Sequence, residues 1–253
     1  MLGCNFIDVA SSFLKQLLPP ILTRPVKALA RDILLHGSYG LEELDLRLIA
    51  AITPEQGHGY FVELGANDGL RQSNTYLLQR RYGWNGLLIE PSPVRYVECV
   101  RNRSFGVRPS FRCAACVDAD YEAPFVEMEY SDLMSVAMGL DLSRAEALDQ
   151  AERGLPFLED AASRHRFGAI ARTLTSLLDE VGAPPEFDLL SLDVEGNELC
   201  VLKGLDFLRY RPRWILAECR DDAVLHHLES VGYHQQELLS DRGTYRDILF
   251  RSR

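Results

Sequence analysis

The stretch GYFVELGANDG, residues 59 to 69, places carboxylates and glycines where an apolar, strand-like segment enters a loop. Gly65 and Gly69 flank Asn67 and Asp68, and Glu63 precedes them. Glycine lets a backbone pass close to a ligand or adopt a turn that a side chain would hinder. The loop therefore predicts a ligand-binding turn, and its two carboxylates favour a ligand with positive charge.

Three nucleotide-type ligands use glycine loops that follow a first strand. A phosphate-binding P-loop requires Gly-Lys-Ser/Thr, whereas this loop continues as Asn67-Asp68-Gly69-Leu70 without a lysine. A dinucleotide loop requires G-x-G-x-x-G, and carboxylates would repel its pyrophosphate, so an NAD-dependent oxidoreductase is disfavoured. S-adenosylmethionine carries a sulfonium and an ammonium group and no phosphate, and it fits the loop best.

A further carboxylate, Glu90, ends the next strand-like segment, LLIEP, 25 residues after Gly65. A carboxylate at that position can accept both hydrogen bonds of a ribose diol. This spacing supports the nucleotide interpretation. The alternative is that Glu63 caps the loop locally and that Glu90 is a solvated strand end.

Carboxylates also follow two later strand-like segments, LSLDVEGNE and LAECRDD, as Asp193, Glu195 and Glu218. Because the carboxyl ends of parallel strands meet at one edge of a sheet, we expect them to converge. They predict a general base beside a reacting hydroxyl, with Asp193 as the first candidate and Glu195 as the second. They would also suit a divalent cation such as Mg²⁺, held by Asp193 and Glu218. The structural alternative is a salt-bridge network with nearby arginines, namely Arg211, Arg213 or Arg220.

Apolar runs of strand length alternate with helical patterns along the chain. This rhythm predicts an α/β fold with a doubly wound, mostly parallel sheet covered by helices on both faces. The last two runs, at 233–240 and 244–253, predict a hairpin. The run SFRCAACVD, residues 110–118, predicts one buried strand in which Cys113 and Cys116 point to opposite faces and pack in the core.

Two segments depart from this rhythm. Residues 1–57 predict an N-terminal helical arm before a main domain at 58–253, and residues 1–31 carry a net charge of +3. The arm is expected to pack on the domain, with contact to a membrane surface or a partner subunit as the alternative. Residues 119–172 form a polar, partly helical insertion that is too long for an ordinary connection. It predicts a lid or substrate wall, with a decorative surface insertion as the alternative.

The composition narrows the class of partner. The chain has 27 basic and 37 acidic residues, a net charge of −10, which disfavours a broad nucleic-acid-binding surface. No apolar run approaches the roughly 18 residues of a membrane span, and the first residues do not read as a signal peptide. Six cysteines without a recognisable metal spacing suit a reducing compartment. We therefore expect a cytoplasmic protein.

Two long blocks, FVELGANDGLRQSNTYLLQRRYGWNGLLIEPSP and LTSLLDEVGAPPEFDLLSLDVEGNELCVLKGLDF, resemble the FkbM-like methyltransferases. The resemblance extends over residues 58–251. It implies a class I S-adenosylmethionine-dependent fold, Rossmann-like, with a seven-stranded sheet whose last strand is reversed. It also implies O-methylation of hydroxyls on sugars, glycolipids or other secondary metabolites. The expected acceptor is a small molecule or glycan rather than a nucleic acid.

The resemblance also implies roles for individual residues. The cofactor loop would comprise Glu63, Gly65, Asn67, Asp68 and Gly69. Ser73 and Asn74 would brace it, Glu90 would bind the ribose, and Asp118 would bind the adenine amino group. Asp193 and Glu195 match the family's DVEG. Independently of the resemblance, His165 in the polar insertion is an outside candidate for the base, with a merely solvated histidine as the alternative. A non-catalytic binding or scaffold protein with the same fold, and a methyltransferase with another acceptor class, are the alternatives.

Overall fold

The computed structural model describes residues 37–158, 160 and 163–253. Residues 40–253 form one compact unit, which contains every element below. Most of the predicted arm, with its possible membrane contact, lies outside the described residues. The described part of the predicted arm, from residue 37 onward, contains a 3-10 turn at Leu41–Glu43 and helix α1 (Leu44–Ile52). Within the described ranges, no helix combines the length and apolarity needed to cross a bilayer.

The main sheet has seven strands, and a single strand is reversed. Its spatial order is β10 (Tyr233–Asp241), β11 (Arg246–Ser252), β9 (Trp214–Cys219), β8 (Leu189–Leu192), β1 (Tyr60–Leu64), β2 (Asn85–Ile89) and β3 (Ser110–Arg112). Strand β11 is antiparallel to both neighbours, and the other pairs are parallel. The predicted mostly parallel sheet with a reversed last strand and a C-terminal hairpin is confirmed.

Apolar side chains alternate between two buried cores on the two faces of this sheet. In β1, Val62 packs in one core and Phe61 in the other, and Leu87 and Leu88 of β2 divide in the same way. Both faces are therefore covered, as near-continuous apolar strands require. Helix α1, α2 (Tyr76–Tyr82) and α3 (Pro93–Arg103) cover one face. The other face is covered by α5 (Leu174–Val181), α6 (Glu198–Lys203) and α7 (Ala223–Ser230).

A second, four-stranded sheet contains much of the predicted insertion. Its order is β4 (Ala115–Val117), β7 (His165–Thr173), β5 (Phe125–Tyr130) and β6 (Val136–Ala137). Helix α4 (Arg144–Arg153) and 3-10 turns at Asp132–Met134 and Leu155–Phe157 complete the segment. Ser143 and Glu146 form a capping box that starts α4.

The prediction of one strand over residues 110–118 is wrong, because two short strands in different sheets occupy this run. Strand β3 pairs with β2 in the main sheet, whereas β4 pairs in parallel with β7. The partner of β4 lies about 55 residues further along the chain, and no local pattern reports such a pairing. As a result, Cys113 is partly buried between the strands and Cys116 is buried in the second sheet.

Candidate functional site

A cavity with about 780 Å³ of empty space, part of it open to solvent, lies where β1, β2 and β8 end. The second sheet and the turn at Asp132–Met134 form its opposite wall. Five of the residues proposed from the sequence line it, namely Gly65, Asn67, Glu90, Asp193 and Glu195. The ends of three neighbouring parallel strands thus converge on one crevice, as expected for a doubly wound sheet.

Gly65 lets the turns after β1 and β8 approach each other. Its φ is +75°, and a Cβ built on it would overlap the carbonyl oxygen of Asp193. A larger residue would therefore require both a strained backbone and a displaced neighbour. The sequence pattern indicated close passage of a ligand, and the structure adds that this glycine also sets the position of Asp193.

Glu90 lies buried at the end of β2, with each carboxylate oxygen accepting one backbone N–H. Asn67 donates to Oε2 at 2.8 Å, and Ser92 donates to Oε1 at 2.8 Å. Burial raises the pKa of Glu90 to about 7, and these two hydrogen bonds oppose the rise. Each oxygen retains a lone pair, so the carboxylate can still accept hydrogen bonds from a diol in the cavity.

Glu63 braces the glycine loop from below and is not among the cavity-lining residues. Its carboxylate accepts hydrogen bonds from the Ser73 hydroxyl at 3.0 Å, the Asn74 N–H at 3.0 Å and the Thr75 hydroxyl at 2.7 Å. It also pairs at 3.3 Å with Arg103, whose side chain is fully buried. The negative charge of Glu63 is therefore balanced by Arg103. Together, this ion pair and the three hydrogen bonds of Glu63 fix the residues that lead into α2, next to the glycine loop.

Asp68 and Gly69 shape the same loop outside the cavity. Asp68 accepts the backbone N–H groups of Leu70 at 2.9 Å and Arg71 at 2.8 Å, and it pairs with the Arg71 side chain. Gly69 has a φ of +77°, and a Cβ there would lie 2.7 Å from Cγ of Arg103. Both residues determine the loop's conformation rather than its cavity surface.

Asp132 ties the insertion to this loop, and the sequence analysis did not select it. It is buried, has a φ of +54° and lines the cavity. Arg71 pairs with it at 2.7 Å and Arg95 at 2.9 Å. A single aspartate in a polar segment has no periodic or motif signal, so only the fold reveals its place.

The turn after β8 carries an acidic cluster that is partly neutralised by Arg220. Glu195 accepts hydrogen bonds from Gln150 of α4 at 2.5 Å and from Arg220 at 3.0 Å. Glu218 pairs with the same guanidinium at 2.9 Å, and Arg220 also donates to Gln150 at 2.8 Å. Of the arginines proposed for a salt-bridge network, Arg220 therefore binds two of the three carboxylates.

Asp193 differs from its neighbours, because its carboxylate has no hydrogen bond or ion pair within the described part of the chain. Burial raises its pKa well above the ordinary value, the charges of Glu218 and Asp247 add to the rise, and Arg220 opposes it. The turn that presents Asp193 is held by Glu198, which accepts the N–H groups of Val194 at 3.0 Å and Gly196 at 3.2 Å. A raised pKa makes this unpaired carboxylate a stronger base than an ordinary aspartate, which suits it to take a proton from a bound hydroxyl.

The structure gives no support to a divalent cation. Among the described residues, no group of three or more His, Cys, Asp or Glu side chains is arranged to hold a metal ion. Arg220 binds both Glu195 and Glu218, so a guanidinium neutralises charge that a cation would otherwise balance.

Asp118 and His165 lie away from the cavity lining. Asp118 follows β4, accepts the N–H of Asp120 at 3.1 Å and faces a separate, open cavity beside α6 and α7. This displacement follows from the departure of β4 into the second sheet. Ala114, Ala115 and Cys116 line the main cavity at the corresponding place. His165 is exposed at the start of β7.

The hydrogen-bond donors and acceptors of the cavity fit a cationic nucleoside derivative that carries no phosphate. Glu90 offers carboxylate oxygens to a diol, and Asp193 adds a further carboxyl group to the wall. Arg71 lines the wall, but Asp68 and Asp132 engage its guanidinium, which leaves it poorly placed to bind a pyrophosphate. S-adenosylmethionine has these properties.

Comparison with known families agrees with this geometry. Residues 63–236 match the family model described as the methyltransferase FkbM domain, more than two thirds of the 253-residue chain. No curated protein sequence matches the chain.

Several solved structures are similar in fold. Methyltransferase FkbM from Methylobacillus flagellatus is 14% identical, with a TM-score of 0.46 and coverage of 78% of this chain and 44% of that one. This chain thus spans less than half of that protein. A TehB-like SAM-dependent methyltransferase from Corynebacterium glutamicum is 11% identical, with a TM-score of 0.41 and coverage of 83% and 88%. The N-terminal domain of human METTL16 is 12% identical, with a TM-score of 0.38 and coverage of 93% and 72%.

Proposed function

Because the chain belongs to the FkbM methyltransferase domain family, we propose that it transfers a methyl group from S-adenosylmethionine to a hydroxyl of a small molecule or glycan. The observation that carries the choice of a hydroxyl is the unpaired Asp193 carboxylate in the cavity wall. An alcohol is a weak nucleophile until a base takes its proton, so this acceptor class requires such a group.

Different residues of the chain would contact different parts of the cofactor. Glu90 would accept hydrogen bonds from the ribose hydroxyls, while the backbone around Gly65 and Asn67 would lie against the nucleoside. Ala114, Ala115 and Cys116 would form the apolar surface for the base. When bound, the cofactor supplies an electrophilic methyl group on a positively charged sulfur.

Asp193 would then act on the acceptor. Glu90 and the loop at Gly65 and Asn67 would hold the cofactor while its methyl group passes to the acceptor oxygen, and the electron pair of the broken carbon–sulfur bond would stay with the cofactor. Asp193 takes the hydroxyl proton in the same step. Glu195, held by Gln150 and Arg220, would orient the acceptor. Holding the reacting groups in line supplies several kcal/mol of the barrier without covalent chemistry.

The charge of the site supports an uncharged acceptor. Glu195 and Glu218 share one guanidinium, and Asp193 has no ion pair among the described residues, so a phosphate or carboxylate beside Asp193 would be repelled. The chain's net charge of −10 likewise favours a small molecule or glycan over a nucleic acid. The free cysteines of the described residues are consistent with a cytosolic reaction.

The test is methyl transfer from isotope-labelled S-adenosylmethionine into fractionated small-molecule and glycan extracts. Label should enter a product that gains one methyl group in mass and survives mild alkali, since methyl ethers are stable there and methyl esters are not. Label in an alkali-labile product would contradict the choice of a hydroxyl. Cofactor binding without transfer to any fraction would favour the scaffold alternative.

A further inference from the structure

We propose that Tyr130, His165 and Phe167 form a ring-stacking subsite for the acceptor, and that its occupant is a sugar ring adjacent to the one that is methylated. This inference rests on the proposed transfer to a hydroxyl and specifies the acceptor as a saccharide of at least two rings. The three residues are called the aromatic platform below.

The rings of the aromatic platform contact one another across two strands. Tyr130 of β5 lies directly opposite His165 of β7, with ring centroids 4.9 Å apart and planes inclined by 32°. The ring of His165 is 6.0 Å from that of Phe167, at 45°. Tyr130 is buried, Phe167 is half-buried and His165 is exposed, so the stack presents an open ring to solvent.

The aromatic platform continues the wall of the cofactor cavity. Met128 lines the cavity and lies opposite Phe167. Side chains two positions apart point to the same face of a strand, so Met128 and Tyr130 share a face, as do Phe167 and His165. The step between them is about 6–7 Å, comparable to one hexose unit. A chain of sugars with one ring in the cavity would therefore place the next ring on the platform.

Arg95 and Glu98, called the polar rim below, lie beside the aromatic platform and are linked to the cavity through Asp132. Arg95 of α3 pairs with Asp132, a cavity-lining residue, at 2.9 Å and with Glu98 at 2.6 Å. Burial raises the pKa of Tyr130, and the charge of nearby Arg95 opposes that rise. The Arg95–Glu98 pair offers both donors and acceptors beside the stack, which suits the mixed hydrogen bonding of sugar hydroxyls.

The same charges argue against a nucleic-acid strand. Stacking alone would serve a nucleobase as well as a sugar. Strands of nucleic acid additionally require cations for their phosphates, whereas Arg95 already shares its charge with two carboxylates. A neutral ring with an apolar C–H face and hydroxyl edges matches both the platform and its rim.

The reverse face of the same strands provides a matched control. Phe125 and Ile170 lie opposite each other there, 58% and 53% exposed. Glu129 on that face binds Arg164 at 2.8 Å and Arg166 at 2.7 Å, which ties β5 to β7 independently of the aromatic platform. Replacing Phe125 by alanine removes an exposed ring from the same strands without touching the platform.

The experiment is saturation-transfer NMR on protein loaded with S-adenosylhomocysteine, using cellobiose, maltose and lactose as probes. Methyl glucoside, glycerol and adenosine monophosphate serve as comparison ligands. At least one disaccharide should bind more tightly than methyl glucoside. His165→Ala should weaken that binding by about threefold to tenfold, the worth of one aromatic contact. Phe125→Ala should leave it unchanged.

Other outcomes overturn the inference. These are the absence of disaccharide binding, equal binding by wild type and His165→Ala, or a His165-dependent preference for adenosine monophosphate. The result is separable from the test of the proposed function, because binding needs no turnover. Saccharide binding through His165 without methyl transfer would retain the subsite and reject the proposed function. Hydroxyl methylation that does not depend on His165 would do the reverse.

Discussion

The carboxylates at the end of β1 and those after β8 lie at the same edge of one sheet but have different surroundings. Glu63, near the end of β1, and Asp68, within the loop that follows, are engaged by hydroxyl, N–H and guanidinium donors. After β8, Asp193 has no such partner among the described residues, although Glu195 beside it has two. The carboxylates of the first region therefore fix the conformation of the glycine loop, whereas the second region contains a carboxylate, Asp193, that is available to react.

The source of the donors explains the difference. In the first region, donors come from the chain that immediately follows, such as the Ser73 hydroxyl and the Asn74 N–H, together with Arg103. In the second region, Arg220 binds Glu195 and Glu218, and Glu198 holds the turn. The donors in both regions thus engage the neighbouring carboxylates, and among the described residues the oxygens of Asp193 keep lone pairs that can accept a proton.

The largest expected effect comes from Asp193→Asn, which removes the proton acceptor while preserving its size. Turnover should fall by about 10²–10⁴, the usual worth of a general base. Affinity for S-adenosylhomocysteine should change by less than about threefold, since Glu90 and the loop remain. Label transfer and calorimetry measure the two quantities. Retained turnover would show that Asp193 is not the base and would contradict the difference between the two regions. Glu195→Gln is the matched control, because it makes the same change at the neighbouring carboxylate.

The next effect concerns the brace of the first region. Arg103→Met leaves Glu63 buried without its cation, and it should lower the free energy of unfolding by about 3–5 kcal/mol. Urea denaturation measures this loss. The double variant Glu63→Gln with Arg103→Met should lose less than the sum of the single variants, because the two charges are coupled. Additive losses would show that Glu63 does not depend on Arg103.

The elements of the main sheet were predictable, because each strand and helix has a local signal. Helix α3 (Pro93–Arg103), for example, begins with a proline in its first turn, a position that proline favours. The glycine loop and Glu90 were found from spacing alone, and Gly65, Asn67 and Glu90 line the cavity. The mostly parallel sheet followed from the alternation of strands and helices, and its reversed last strand followed from the resemblance.

Long-range partners were not predictable in the same way. The pairing of β4 with β7, and thus the displacement of Asp118, depends on residues far apart in the chain. The roles of Asp132 and Gln150 depend on where the insertion folds back. Sequence reasoning assigned Glu63 to the ligand because the buried Arg103 that neutralises it lies 40 residues away.

The pH dependence of cofactor binding tests the state of Glu90. Its pKa is raised to about 7 by burial, so its carboxyl gains charge as the pH rises from 6 to 8. Affinity for S-adenosylhomocysteine should rise over that window, by about tenfold at most, because the ribose needs an anionic acceptor. Calorimetry at three pH values measures it, and Glu90→Gln should flatten the profile. A flat profile in the wild type would contradict the ribose role.

The stability of the cofactor-free protein should respond to Glu90 in the opposite direction. A folded pKa raised above the ordinary 4.5 means that the contribution of Glu90 to stability is fully present below pH 4.5 and is lost as the pH rises through about 7. Urea denaturation of the wild type and of Glu90→Gln over pH 4.5–8 separates this contribution from those of other groups. A difference that grows in the other direction would contradict the buried state of Glu90.

The smallest effect should come from Gln150→Ala, which removes one donor to Glu195 and one acceptor for Arg220. Loss of these hydrogen bonds should cost about 1 kcal/mol of stability and reduce turnover only a few-fold, since Arg220 still holds Glu195. Denaturation and label transfer measure both. A loss of turnover as large as that of Asp193→Asn would move the catalytic role toward Glu195.

Calorimetric titration of S-adenosylhomocysteine and of NAD tests the central claim most directly, because that claim is the identity of the cavity's ligand. The wild type and Asp193→Asn should bind S-adenosylhomocysteine with similar affinity, Glu90→Ala should bind it at least about tenfold more weakly, and none should bind NAD. Equal affinity in Glu90→Ala, or binding of NAD in place of S-adenosylhomocysteine, would contradict the account.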